Sequence, residues 1–295
     1  MMLKREGEKM NRVLKLKIEA VYRDLTAKDK RIADYIVKYP EQVMTLSIRE
    51  LAQVLEVAES TIFRFVQRLG YEGYKQFKLE LAQTQGKPQL TTNLYEEISA
   101  NDSPVIIAQK VFEANTQALI DTQHLLADDA FEEAVRLLSE AKSIFFFGVG
   151  GSNAIAMDAY HKFLRSPLSV SYAIDSHIQR MEASRLDETD VALIISHSGQ
   201  SHEVLEMAKQ VKRNQARLIA LTSFALSPLA ELADVVLISR ANEVKYRPEA
   251  LASRLSQLSI IDALFVNVMY ADEEASQSYL TKMREVIETT KEITD

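Results

Sequence analysis

One stretch decides the fold of this chain: Val191-Ala192-Leu193-Ile194-Ile195-Ser196-His197-Ser198-Gly199-Gln200-Ser201-His202-Glu203. Its first five residues are apolar, and such a run predicts a strand buried on both faces of a parallel sheet. A turn rich in serine follows, and apolar residues then recur with helical spacing at Val204, Leu205, Ala208 and Val211. The stretch therefore predicts a strand that ends in a polar turn and leads directly into a helix.

The turn after this strand has the chemistry of an anion-binding site. Backbone N–H groups at the start of a helix have no partner within the helix, the helix dipole is positive there, and serine hydroxyls can donate to the same oxygens. The turn has neither a P-loop lysine nor a GxGxxG pattern, so neither nucleotide-binding signature applies. We expect it to bind a single phosphate or another small anion. Serine is also a common helix cap, but three serines with a glycine favour a binding site: Ser196, Ser198, Ser201 and Gly199.

A second stretch repeats this pattern upstream. A strand and a glycine-rich turn that ends in serine are predicted by Ile144-Phe145-Phe146-Phe147-Gly148-Val149-Gly150-Gly151-Ser152, before a helix expected over residues 153–164. The two turns resemble those of sugar isomerase (SIS) domains, which bind phosphosugars, and the later turn matches the S-x-S-G-x-[ST] pattern of that family. The resemblance implies a sugar-phosphate ligand bound by Gly150, Gly151, Ser152, Ser196, His197, Ser198, Gly199 and Ser201.

Two further residues are candidates for this site. His197 could hydrogen-bond the sugar or respond to the charge of the phosphate, and a turn residue that points to solvent is the alternative. Glu249 resembles a glutamate that SIS proteins present near the sugar, although a glutamate after Pro248 also fits the ordinary start of a helix. The remaining histidines lack the spacing of metal ligands, so neither a metal nor a cofactor is expected.

The second half of the chain alternates strands and helices. Strands are expected over residues 144–147, 168–173, 191–196, 218–221 and 235–238. This alternation predicts a five-stranded parallel sheet flanked by helices, with ligands at the carboxyl ends of the strands. A long helix expected over residues 250–270 is apolar on more than one face, which indicates part of the core and part of a subunit interface.

The composition indicates an ordinary globular protein. The chain has 295 residues, enough for two domains, of which 47% are hydrophobic and 26% charged. No apolar run approaches the ~20 residues that a membrane helix needs. The sequence has no cysteine, which favours a cytoplasmic location.

Charge is distributed unevenly along the chain. The net charge is −7, but residues 1–83 hold 16 basic and 12 acidic side chains, whereas the remainder holds 19 basic and 30 acidic ones. A basic front of net charge +4 and an acidic back of −11 suggest different partners for the two parts.

The basic front contains two short amphipathic helices. The first opens with a capping box, Ser47-Ile48-Arg49-Glu50, and the second has apolar residues at helical spacing up to Leu69. Two such helices joined by about four residues form the helix-turn-helix pattern. Side chains that can contact phosphates and base edges are candidate DNA-binding residues: Ser47, Ser60, Thr61, Arg64, Gln67 and Arg68. A helical hairpin whose polar face meets only water is the alternative.

Three segments resemble the N-terminal domain of RpiR/MurR-type transcriptional regulators: Leu46-Ser47-Ile48-Arg49-Glu50-Leu51-Ala52, Ser60-Thr61-Ile62-Phe63-Arg64-Phe65 and Leu69-Gly70-Tyr71-Glu72-Gly73-Tyr74-Lys75-Gln76-Phe77-Lys78. That family joins this helix-turn-helix to a C-terminal SIS domain. The resemblance implies a dimer or tetramer that binds a two-fold operator DNA site and responds to an amino-sugar or hexose phosphate in sugar catabolism. One departure is Ala58, because the family often has serine at this expected N-cap.

We therefore expect two domains. Residues 1–83 form an all-α helix-turn-helix domain, residues 84–102 a linker, and residues 103–295 an α/β SIS domain with C-terminal helices. The chain is expected to be a regulator and not an enzyme, because an enzyme would not need a basic helix-turn-helix in front.

Two other functions fit part of the sequence. SIS domains also occur in sugar-phosphate isomerases and lyases, which need a general base near C1 and C2 of the sugar, and Glu249 is the candidate for that base. A phosphosugar-binding scaffold that acts on a protein partner is the third possibility. Specific retention of the chain on operator DNA would exclude it.

Overall fold

The chain folds into two compact units, Met1–Ser103 and Pro104–Asp295. The computed structural model describes residues 12–82, 99, 101–240 and 249–288. Most of the expected linker, residues 84–102, therefore lies outside the described part. Within the described part, we find no helix that is long and apolar enough to cross a membrane.

The first unit is all-helical. Its helices are α1 (Arg12–Tyr22), α2 (Ala27–Lys38), α3 (Pro40–Thr45), α4 (Ile48–Leu55), α5 (Glu59–Arg68) and α6 (Tyr74–Ala82). Each helix except α3 contributes large apolar side chains that are fully buried, among them Leu14, Ile32, Leu51, Phe65 and Phe77. One hydrophobic core therefore holds these helices together, since burying such a side chain stabilises the fold by about 1.5–3 kcal/mol.

Helix α3 was not expected from the sequence. Helix α2 stops before Pro40, as predicted, but Pro40 itself begins the next helix. Proline is tolerated at the first helical position because the N–H group that it lacks would have no partner there. Val43 buries one face of this short helix against the core.

The second unit is built on a five-stranded, all-parallel sheet, which confirms the expected fold. The strands are β1 (Ser143–Gly148), β2 (Ser169–Tyr172), β3 (Val191–Ile195), β4 (Arg217–Thr222) and β5 (Val235–Ile238). Their order across the sheet is β2-β1-β3-β4-β5. Strand β3 is central and completely buried, as its unbroken apolar run predicts.

Helices cover both faces of this sheet. They are α7 (Pro104–Leu125), α8 (Asp128–Glu140), α9 (Gly151–Phe163), α10 (Ser176–Ala183), α11 (His202–Arg213), α12 (Pro228–Leu232), α13 (Glu249–Ala271) and α14 (Glu273–Glu288). Alternate residues of β3 enter different cores: Leu193 packs with residues of α8, α9 and α13, and Ile194 with residues of α11. The carboxyl edge of the sheet stays available for the turns that follow the strands.

Candidate anion site and nucleic-acid interface

The two serine turns lie side by side at the carboxyl edge of the sheet. Strands β1 and β3 are neighbours, and their last residues, Gly148 and Ile195, are paired in the ladder. The segment after β1, residues 149–152, which includes the first two residues of α9, and the turn after β3, residues 196–201, therefore leave the sheet at adjacent points. Each leads into a helix, α9 or α11, so two helix N-termini lie at this edge, and helix N-termini favour anions.

Tight backbone packing shapes the turn after β1. A Cβ atom at Gly148 would lie 2.7 Å from the carbonyl oxygen of Ser152, so any larger residue would push the turn away from the strand. Gly150 has a φ of +59° and precedes the first residue of α9. The N–H groups of Ser152 and Asn153 donate to carbonyls within the turn, at 3.2 and 3.1 Å.

The side chain of Gln179, on α10, holds the end of β1 in place. Gln179 is buried, its Oε1 accepts from the N–H of Gly148 at 3.1 Å, and its Nε2 donates to the carbonyls of Gly148 and Ala173 at 3.0 and 2.7 Å. These bonds fix the point at which the first serine turn begins. No sequence pattern pointed to this residue.

Serine hydroxyls organise the turn after β3. Ser196 is buried, and its Oγ accepts from the N–H of Gly199 at 3.2 Å, while Ser198 Oγ accepts from the N–H of Gln200 at 3.3 Å. In both bonds the hydroxyl oxygen is the acceptor. Ser196 thus holds the turn from its buried side, and Ser198 lies on its more accessible side.

Gly199 packs against the short helix α12. It has a φ of +61°, and a Cβ atom there would overlap the side chain of Ser227. Its carbonyl oxygen accepts from the N–H of Leu229 at 3.1 Å. A larger residue at position 199 would be strained and would also displace α12.

Ser201 occupies the N-cap position of α11 without acting as a side-chain cap. Within the described part of the chain, its hydroxyl makes no capping hydrogen bond to the first turn of the helix. The interpretation of this serine as a simple helix cap therefore lacks the bond that defines one.

The ring of His197 packs into the unit instead of pointing to solvent. Its Nδ1 lies 2.9 Å from Oγ of Ser223, and its ring centroid lies 5.7 Å from that of Phe224. Its carbonyl oxygen accepts from the N–H of Ser223 at 3.0 Å. Ser223 follows β4 at the same edge of the sheet, so the rule that polar residues after strands line the ligand site could have identified it.

Glu249 is the first residue of α13, but its side chain lies outside the described residues, as do residues 241–248. Its role near a sugar stays a prediction. Among the residues that the structure describes, no group of histidine, aspartate and glutamate side chains could hold a metal ion.

In the first unit, α4 and α5 form the helix-turn-helix. The capping box is present: Ser47 Oγ accepts from the N–H of Glu50 at 3.2 Å, and the Glu50 carboxylate accepts from the N–H of Ser47 at 2.7 Å. Hydrogen bonding of the Glu50 carboxylate, mainly to the backbone N–H of Ser47 and also to the Ser47 side chain, holds the pKa of Glu50 below its usual range. Arg31 donates to the carbonyl of Leu55 at 3.1 Å and so closes the other end of α4.

The exposed face of α5 carries most of the predicted DNA-binding side chains. Ser60, Arg64 and Gln67 are exposed and Thr61 is partly exposed, whereas the opposite face of the helix is buried. Within the described part of the chain, Arg64 Nε donates only to the Ser60 carbonyl of its own helix, at 3.3 Å. Arg64 can therefore reorient toward a base without breaking a tertiary contact.

Arg68 is engaged inside the unit. Its guanidinium forms an ion pair with Asp29, whose side chain is 8% exposed and also accepts from the Thr26 hydroxyl at 2.8 Å. This pair joins the end of α5 to the start of α2. The contact gives Arg68 a structural role that its place on the predicted DNA face did not suggest.

Comparison with known families matches both units. A helix-turn-helix domain of the rpiR family matches residues 12–88, and the SIS domain matches residues 137–267. Together these two models account for the elements that carry both candidate sites.

Individual relatives agree with these matches along nearly the whole chain. The chain is 34% identical to an HTH-type transcriptional regulator of Haemophilus influenzae, over 92% of this chain and 95% of the relative. It is 33% identical to the regulator HexR of Pseudomonas aeruginosa, over 91% of this chain and 93% of the relative. A solved structure of Vibrio vulnificus NanR, complexed with ManNAc-6P, has the same fold, with a TM-score of 0.59, 23% identity and coverage of 95% of this chain and 99% of that one.

Proposed function

This chain belongs to the rpiR family of HTH-type transcriptional regulators, and from that premise we propose that its SIS domain senses a phosphorylated sugar. The sugar is an amino-sugar or hexose phosphate, and its binding changes the affinity of the helix-turn-helix domain for operator DNA. The genes under control serve sugar catabolism.

The adjacency of the two serine turns carries this proposal. Ser152 comes from the first segment, Ser198 and Ser201 come from the second, and Gly150, Gly151 and Gly199 lie beside them in the same two segments. Two helix dipoles and several hydroxyl donors stabilise a phosphate without a positively charged side chain. We also propose that His197 and Glu249 contact the sugar or its phosphate.

On the DNA side, we propose that α5 enters the major groove. Arg64 and Gln67 pair with guanine and adenine edges, while Ser60 and Thr61 contact phosphates or bases. Ser47 sits at the N-terminus of α4, where a DNA phosphate is stabilised by the helix dipole. Arg68 supports this surface by fixing α5 against α2.

The mechanism that we propose is thermodynamic linkage. The sugar phosphate binds one arrangement of the two DNA-binding heads more tightly than the other and shifts the population toward it. Linkage is reciprocal, so operator DNA changes the affinity for the sugar phosphate by the same factor. The regulator acts in the cytoplasm, where its operator is.

We further propose that the chain acts as a dimer or tetramer. Helix α13 buries Ile260, Ile261 and Leu264 in the core, yet it also exposes Val266 and Tyr270 on another face. Helix-turn-helix factors read two-fold sites with two copies of the reading helix. Sedimentation equilibrium measures the assembly, and a protein that stays monomeric at concentrations saturating the operator contradicts this part of the proposal.

Enzymatic activity is not part of the proposal. The relatives are named as transcriptional regulators, which supports a sensor without turnover. Incubation of the purified protein with a panel of sugar phosphates, followed by 31P and 1H NMR, is expected to show no isomerisation or cleavage. Catalytic conversion of any sugar phosphate would contradict this expectation and favour an SIS-type isomerase or lyase.

The experiment that tests the proposal is a titration of the protein–operator complex with sugar phosphates. A duplex selected by the full-length protein is labelled, and fluorescence anisotropy follows its binding. One sugar phosphate is expected to change operator affinity by about 5- to 150-fold, the usual range of such coupling. Operator binding that is indifferent to every sugar phosphate, in a protein that binds them, would contradict it.

A further inference from the structure

The DNA-facing surface of α5 contains a large apolar side chain. Phe63 is 40% exposed, whereas the other large apolar residues of this helix, Ile62, Phe65 and Val66, are fully buried. Its position is three residues after Ser60 and four before Gln67, so these three side chains lie along one stripe of the helix. An aromatic ring therefore stands among the side chains that face DNA.

The ring is also supported from one side. A Cβ atom at Gly73, just before α6, would lie 3.6 Å from Cε2 of Phe63, which means that the ring leans over this glycine. A phenylalanine has only two side-chain torsions, and a supported ring loses little further freedom when it binds. Single exposed apolar residues are common on proteins. Phe63 differs because it is held in place between residues that can reach base edges.

The major groove offers one apolar group that fits such a ring. Each base pair presents hydrogen-bond donors and acceptors there, and thymine adds its C5-methyl group, which phenylalanine can contact. Arg64 and Gln67 match guanine and adenine through hydrogen bonds, whereas the thymine methyl group is read by apolar contact. The three neighbouring side chains thus supply different kinds of readout.

This inference rests on the proposed entry of α5 into the major groove: we propose that Phe63 contacts the C5-methyl group of one thymine in each operator half-site and determines the preference for thymine at that position. The contact is sequence-specific and uncharged. Loss of Phe63 therefore reduces discrimination at one base pair and leaves the salt dependence of binding unchanged, since that dependence comes from phosphate contacts.

Deoxyuridine substitution tests this contact, because uracil differs from thymine only by the missing methyl group. A duplex selected from a random library by the full-length protein is made with each thymine of one half-site replaced in turn. Anisotropy titrations compare the wild type with Phe63→Ala. At one thymine, the replacement is expected to weaken wild-type binding about fourfold, the effect of losing one buried methyl group. The same replacement is expected to leave the affinity of Phe63→Ala unchanged.

Val54→Ala is the matched control, because Val54 is an exposed apolar residue, 51% accessible, on α4 instead of α5. This variant is expected to keep the wild-type sensitivity to the missing methyl group. Circular dichroism and thermal melting show whether Phe63→Ala retains its fold. Equal sensitivity of the wild type and Phe63→Ala at every thymine would overturn the proposal. A second result would also overturn it: wild-type binding that no deoxyuridine replacement weakens, together with a changed oligomeric state in Phe63→Ala. The Phe63 ring would then pack against another copy of the chain and not against DNA.

Discussion

Nδ1 of His197 lies 2.9 Å from Oγ of Ser223, so the histidine between two serines of the turn after β3 is bonded to the residue that follows β4. The connection continues inward: Ser223 Oγ lies 3.1 Å from Ser239 Oγ, and Gln257 Nε2 donates to Ser239 Oγ at 3.3 Å. Ser223, Ser239 and Gln257 are all buried. Buried polar networks whose groups are hydrogen-bonded are rigid. The turn after β3 is thus fixed to the ends of β4 and β5 and to α13.

Replacing Ser223 tests the role of this network. In Ser223→Ala, His197 loses a hydrogen bond that orients its ring, and such bonds contribute about 0.5–1.5 kcal/mol. Sugar-phosphate affinity is expected to fall about 2- to 10-fold by isothermal titration calorimetry. Ser223→Thr, which keeps the hydroxyl, is expected to restore most of the affinity.

The matched control for Ser223 is Ser259→Ala, because in the described residues the Ser259 hydroxyl donates only to the Leu255 carbonyl of its own helix, at 2.9 Å. The account would be contradicted if Ser223→Ala bound sugar phosphate with wild-type affinity while substitution of His197 still weakened that binding. The network would then not position the ring of His197.

The double substitution Ser198→Ala and Ser201→Ala tests the anion site itself. Both changes remove hydroxyl donors from the accessible side of the turn after β3, while the buried Ser196 continues to hold its shape. The effector response of the operator complex is expected to disappear, and operator affinity without effector is expected to stay within twofold of the wild type. An unchanged response would mean that the turn only starts α11.

Arg64 and Arg68 lie on the same helix but are expected to differ in effect. Arg64→Ala removes a base contact worth about 1–3 kcal/mol of discrimination and leaves the melting temperature unchanged. Arg68→Ala leaves the buried carboxylate of Asp29 without its cation, which is expected to cost about 1–2 kcal/mol of unfolding free energy, less than for a fully buried pair because Arg68 is half exposed. Operator titration and urea unfolding of both variants separate the two roles. If Arg64→Ala lowered stability and Arg68→Ala weakened only operator binding, Arg64 would be the structural residue and Arg68 the DNA-contacting one.

The lowered pKa of Asp234 predicts how the stability of the second unit changes at low pH. Burial alone would raise its pKa, but hydrogen bonds from Lys212 Nζ at 2.6 Å and from the N–H of Leu218 at 2.7 Å lower it below 3.8 overall. A lowered pKa in the folded state contributes stability at pH values above the ordinary pKa, and this contribution is lost as the pH falls through the lowered value.

Urea unfolding between pH 3 and pH 6 checks this prediction. Asp234→Asn is expected to be less stable than the wild type at pH 6, and the difference is expected to shrink toward pH 3 because Asp234 in the unfolded wild type takes up a proton near its ordinary pKa, before the folded state does. A difference that stays constant over this range would show that the charge of Asp234 contributes nothing to stability.

The parallel sheet and its serine turns could be predicted because their signals are local. The apolar run of β3, the glycines before Ser152 and the serines after Ile195 each lie within a few residues of the structure that they form. Similarly, the capping box at Ser47 marks the start of α4 directly. Patterns of this kind need no knowledge of distant contacts.

Such local patterns do not predict contacts between residues that are far apart in the sequence. Arg68 pairs with Asp29, 39 residues earlier, and Gln179 clamps Gly148, 31 residues earlier. No spacing rule joins these positions, because the fold alone brings them together. Helix α3 was missed for another reason: Pro40 was interpreted only as the end of α2, although proline can also begin a helix.

A thermal-shift screen against phosphorylated and unphosphorylated sugars tests the central claim most directly. A ligand present at 100 times its dissociation constant stabilises the folded state by about 2.7 kcal/mol, a clear rise in melting temperature. The proposed sensor is expected to respond to at least one sugar phosphate and not to the same sugar without phosphate. That response is expected to vanish in the Ser198→Ala, Ser201→Ala variant. Stabilisation by unphosphorylated sugars alone, or an equal shift in the double variant, would contradict a phosphosugar site on the serine turns.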